Sequence, residues 1–75
     1  MAKYNGHKNW NHWNVSLWIN NDEGLYSMAC DYKRDTNSEF AARNMLEGLR
    51  EMGIFKTHDG APYSVSSIRA VMVNL

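Results

Sequence analysis

A chain of 75 residues has room for one small domain, near the lower limit for folding without help from a partner or a metal. Eight basic and eight acidic residues leave no net charge, and no basic run exceeds Lys33-Arg34, which argues against general DNA or RNA binding. A single cysteine, Cys30, excludes an internal disulfide framework; with no signal-like start and no bilayer-length apolar run, a cytoplasmic protein without a membrane anchor is expected.

Residues 1–8 are polar and contain Gly6, and are expected to form a flexible leader to a compact domain over 9–75. The next block, Trp10-Asn-His-Trp13-Asn-Val-Ser-Leu-Trp18, holds all three tryptophans in nine residues. Its periodicity is ambiguous. Trp13, Val15, Leu17 and Ile19 alternate with Asn14, Ser16, Trp18 and Asn20 as in a strand, yet Trp10, Trp13 and Leu17 share one helical face with Asn9 placed as N-cap. Burying a large apolar side chain contributes roughly 1.5–3 kcal/mol, so the tryptophans with Leu17, Ile19, Tyr26 and Phe40 are the expected bulk of the core.

From Asp22 to Lys33, Leu25, Met28, Ala29 and Tyr32 follow the spacing of one helical face. Asp22-Glu23 in the first turn and Lys33-Arg34 in the last complement the helix dipole, which favours a helix over a hairpin with the tryptophan segment. The third element opens on Thr36-Asn-Ser-Glu39, which reads as a capping box, and carries Ala41, Ala42, Met45, Leu46, Leu49 and Met52 on one face. Gly53 is placed for the left-handed position after its last turn, with Ile54 as the hydrophobic contact that follows. Gly48, inside the helix, costs about 1 kcal/mol relative to alanine, and is expected to accommodate a bulky ring, Trp13 or Trp18. Lys56 to Tyr63 is a reversal built on Asp59-Gly60 and Pro62; Val65, Ile68, Met72 and Leu75 then repeat at helical spacing after Ser64.

The chemistry-bearing residues are sparse. His7, His12 and His58, with Cys30, Asp22 or Asp59, are able ligands, but none falls at zinc-site spacing, and solvated histidines are the simpler account. Cys30 with His58 is a conceivable thiol–imidazole pair, although a cysteine between Ala29 and Asp31 on a packed helix is more often a small core residue. His58-Asp59-Gly60 lacks the glycines and following helix of a phosphate loop. No catalytic centre, cofactor or metal is expected. Core packing is the expected fate of at least two tryptophans, while Asn11, Asn14, Asn20 and Asn21 would cap turns or offer a neutral hydrogen-bonding surface.

The segment Asn9-Trp10-x-x-Trp13-Asn14-Val15-x-Leu17-Trp18-Ile19-x-Asn21-Asp22-Glu23-x-x-Tyr26 resembles a motif of small uncharacterised proteins of bacteriophages and related mobile elements, and Lys56-Thr57-x-Asp59-Gly60-x-x-Tyr63 is similar to a segment of some members. About a third of the chain is covered. His12 stands where those proteins usually carry threonine, which makes Asn9 the better cap. The resemblance implies helix around Trp13 and Leu25, and no biochemical activity.

Together these readings predict a mainly α single domain with helices near 10–20, 22–34, 38–52 and 65–74 and a turn or small hairpin over 55–63. The alternative is α+β, with a hairpin over 13–32 packed on the 38–52 helix. The leading functional expectation is a non-enzymatic phage-type accessory protein that binds a host protein and inhibits or redirects it, for instance a component of defence, through Trp10, Trp18, Tyr26 and Tyr63. A nucleic-acid module using Lys3, Lys8, Lys33, Arg34 and Arg43, and a self-associating structural protein, are the competing readings.

Overall fold

A computed structural model describes residues 7–75, so Lys3 and most of the expected leader lie outside the described residues. Four helices follow in order: α1, Trp10–Asn21; α2, Glu23–Arg34; α3, Ser38–Glu51; and α4, Val65–Met72. The chain is a small mainly α bundle. No strand pairs over 13–32, and the only β pairing among the described residues is an isolated antiparallel bridge between Lys56 and Pro62.

Local chemistry explains each helix end. Asn9 is extended and its side chain accepts from the amide of His12 at 3.0 Å, starting α1 at the position where the cap was expected. One residue, Asp22, both ends α1 and starts α2: its amide donates to Trp18 O at 3.0 Å while its carboxylate accepts from the Leu25 amide at 3.0 Å. An aspartate fits there because its charge also meets the positive end of the α2 dipole.

The capping box expected at Thr36 does not form. The cap of α3 is Asn37, whose side chain accepts from the Phe40 amide at 2.9 Å, so Glu39 falls too early in the helix to reach back. The Thr36 amide is drawn instead to Lys33 O at the end of α2. Past α3, Gly53 adopts φ 78°, the Ile54 amide bonds Leu49 O at 2.8 Å and the Gly53 amide bonds Arg50 O at 3.0 Å, the paired closure anticipated at this glycine. Ser64 caps α4 in a reciprocal box with Ser67.

The core differs from expectation. It comprises Val15 and Ile19 of α1, Ala29 of α2, Ala41, Ala42, Met45, Leu46 and Leu49 of α3, Ala61 and Tyr63 of the loop, and Ile68, Val71 and Met72 of α4. No tryptophan belongs to it. Turning Val15 and Ile19 inward rotates the opposite side of α1 outward, so Trp10 and Leu17 are exposed and Trp13 and Trp18 only half-buried. Tyr26 and Phe40, also expected inside, are exposed. Three helical alanines, Ala29, Ala41 and Ala42, let the helices approach closely, so that smaller side chains supply the burial assigned to rings.

Gly48 is the tightest of these contacts. A Cβ there would lie 2.6 Å from Tyr32 Oη and 3.2 Å from Met28 Cε, so the ring against the bare spot is a tyrosine of α2, not a tryptophan of α1.

Candidate functional site

The tryptophan-rich segment of α1 and the 56–63 segment meet in space. From α1, Asn14 and Trp18 lie one turn apart and project toward the loop after α3. That loop reverses through Thr57–Gly60, with the Thr57 amide on Ala61 O at 2.8 Å, the Gly60 amide on Thr57 O at 2.9 Å and Gly60 at φ 97°. The reversal points Asp59 back at the helix. One carboxylate oxygen, Asp59 Oδ2, accepts from Asn14 Nδ2 and from Trp18 Nε1, each at 2.9 Å.

Behind them, Asn14 is buried and its amide oxygen accepts from the Thr57 hydroxyl, which in turn accepts from the Ala61 amide at 3.0 Å. Every polar atom of this buried relay is satisfied, as burial requires. The Trp18 ring packs on His58 with centroids 4.8 Å apart and planes at 40°. Hydrogen bonds from Asn14 and then Trp18 hold the Asp59 carboxyl below its usual range, with His58 adding to the same effect against a small opposing burial penalty. The loop is thus latched to α1 through side chains alone.

The latch sets one wall of an open groove of about 740 Å³. Trp18 and the 54–58 segment form that side, Leu25 and Met28 of α2 the other, and Tyr63 lies at the base. The lining is mostly apolar, and two of its side chains, Met52 and Phe55, are 58% and 59% exposed, although both are large and hydrophobic. Burial, and then the nearby charge of Asp22, push the Tyr63 phenol upward from its ordinary value.

Of the contact residues expected from sequence, Trp18 and Tyr63 come together at this groove. Trp10, at the start of α1, and Tyr26, on the outer side of α2, are exposed but do not line it. Met52, Phe55 and Asp59 are not singled out as contacts by the sequence; the second motif points to Asp59, and no sequence signal points to Met52 or Phe55.

The basic residues considered for nucleic acid are mostly engaged elsewhere. Lys33 Nζ donates to Met72 O at 3.0 Å at the end of α4, Arg34 pairs with Asp31 at 2.9 Å and Arg43 with Glu39 at 3.8 Å, leaving Lys8 exposed before α1. His12 Nε2 shares a 3.1 Å hydrogen bond with Ser66 Oγ, tying α1 to α4. Burial, followed by the charges of Lys8 and His7, lowers its pKa.

Among the described residues no three His, Cys, Asp or Glu side chains are placed to hold a metal. Cys30 is half-buried on α2 and does not line the groove that His58 borders. No helix among the described residues is long and apolar enough to cross a membrane.

Over residues 1–75 the chain matches the family model described as "Family of unknown function (DUF7249)", and it belongs to that family. Neither a curated protein nor a solved structure matches it.

Proposed function

We propose that this chain is a non-enzymatic accessory protein that binds another protein through the groove between Trp18, α2 and the 54–58 segment. The observation that carries the reading is apolar surface left uncovered at a defined concavity: Met52 and Phe55 stand out of the fold around a base formed by Tyr63. Large exposed apolar side chains gathered at one concavity mark interaction sites more often than scattered ones do. Aromatic anchors of this sort also dominate interface energetics. The phage-type sequence resemblance makes a bacterial host protein the natural partner, with inhibition or redirection of that protein as the outcome.

The basic residues of the nucleic-acid reading are separated and mostly paired, and nothing favours that reading over this one. The test uses Met52→Glu and Phe55→Glu, both at exposed positions where folding tolerates charge. A partner recovered from bacterial lysate and then titrated as purified protein should lose about ten-fold or more in affinity with each variant, as expected for loss of a hot-spot contact. A partner retained at full strength by both variants overturns the choice of groove.

A further inference from the structure

The groove has an unusual wall: one side is a backbone edge. In the bridge between Lys56 and Pro62 the hydrogen bonds are made by the neighbours, Tyr63 N–H to Phe55 O at 3.0 Å and Thr57 N–H to Ala61 O at 2.8 Å. In an antiparallel ladder, residues of such a pair direct their own N–H and C=O to the outer edge. Accordingly, neither backbone group of Lys56 finds a partner among the described residues. The groove touches all five residues of 54–58 but only Tyr63 of the returning segment, so this open edge is the one that borders the apolar bed.

We infer that the groove takes its partner as an extended segment that pairs as a β-strand with the 54–58 edge. The inference rests on the proposed protein-binding role and specifies its mode. An added strand satisfies the two open backbone groups of Lys56 and sends alternate side chains onto Trp18, Leu25 and Met28, whereas a helix in the same place leaves the edge unpaired. Ile54, Phe55 and Thr57 suit pairing, being β-branched or aromatic.

Charge narrows the partner. Lys56 makes no ion pair among the described residues, and a two-fold pairing of this edge with a second copy, centred on Lys56, would set two ammonium groups opposite each other. A foreign segment with Asp or Glu facing Lys56 fits where a second copy does not. The predicted ligand is therefore an extended stretch alternating apolar residues, with an acidic side chain among them.

Ten-residue peptides selected from a displayed random library against the full chain provide the test. Selected peptides should alternate apolar residues at every second position and carry an acidic residue. N-methylation of every second backbone amide should weaken them about ten-fold, with the intervening amides insensitive. The Lys56 amide proton should become protected from exchange in the complex. Lys56→Ala should abolish the acidic preference and Lys56→Glu should turn it basic.

Peptides with contacts at i, i+3 and i+4 and no alternation under methylation overturn strand addition while leaving the groove as the binding site. Selection of no peptide that shifts the amide resonances of 54–58 overturns both. A doubled mass in sedimentation without peptide, with Lys56 protected, identifies a second copy as the occupant and overturns the foreign segment.

Discussion

Trp18 donates its indole N–H to the carboxylate of Asp59 at 2.9 Å, across 41 residues of chain, and Asn14 donates to the same oxygen. Two neutral donors on one anion stabilise its charged form, which is why the Asp59 carboxyl titrates below its usual range. The contact is solvent-exposed, so its importance is positional: it keeps the 56–62 reversal against α1 and so holds the groove open.

The sign of its pH dependence follows from that shift. A carboxyl whose folded pKa lies below the unfolded value of 3.8 stabilises the fold above that pH and loses its contribution as pH falls through the folded value. Urea midpoints of the wild type should therefore fall on acidification below about pH 4, and this part of the fall should be absent in Asp59→Asn. At neutral pH, Asp59→Ala and Trp18→Phe should both hasten amide exchange at Thr57 and Ala61, while amides of α3 stay protected. Unchanged exchange in the loop would mean that the latch does not hold it.

His12 gives a second pH effect of the opposite charge type. Burial, Lys8 and His7 all disfavour its protonated form, so its folded pKa lies below 6.5. The fold is then less stable wherever the unfolded chain holds a proton that the folded chain does not: stability decreases as pH falls through 6.5 and levels off below the folded pKa. In an NMR titration, Lys8→Ala should move the His12 midpoint upward, and Ser66→Ala should alter the imidazole shifts without removing the burial effect. A His12 midpoint indifferent to Lys8 would contradict the charge contribution.

The start of α3 separates two neighbouring residues that look equivalent in sequence. Asn37 accepts the Phe40 amide, so Asn37→Ala should cost about 1 kcal/mol of unfolding free energy, whereas Thr36→Ala should lie within about 0.5 kcal/mol of wild type. Chemical denaturation of the two variants distinguishes the caps directly.

Such one-residue ambiguities show what sequence patterns resolve. Helix ends set by short polar side chains and glycine were legible at Asn9, Ser64 and Gly53, because each has a local mechanism that acts within a few residues, whereas Asp22, read as a first-turn acid, is the cap itself. The inward face of α1 was not legible. That helix carries apolar residues on every side, so spacing alone does not decide between Trp10–Leu17 and Val15–Ile19; the decision belongs to the helices on which α1 packs, α4 and α2. The latch was hidden for the same reason, since Asn14 and Asp59 are joined only by tertiary contact. Truncation reads out the outcome: Ile19→Ala should cost about 2–5 kcal/mol, and Trp10→Ala less than that despite its larger side chain. Equal losses would place the indole back in the core.

Gly48 offers the sharpest test of how α2 and α3 fit. In an open helix, replacing glycine by alanine gains up to about 1 kcal/mol. Here the new methyl would meet Tyr32 Oη at 2.6 Å, so the half-buried ring must shift to admit it. Gly48→Ala should therefore destabilise the protein by about 1 kcal/mol, as overpacking does. Removing only the hydroxyl relieves the clash, because the next ring atom, Cζ, is 3.6 Å away and Met28 Cε, at 3.2 Å, ends a flexible side chain. In a Tyr32→Phe background the same Gly48→Ala change should reverse sign and stabilise. A double-mutant cycle by thermal or urea unfolding measures this coupling; strict additivity of the two substitutions would show that Tyr32 is not what keeps glycine at position 48.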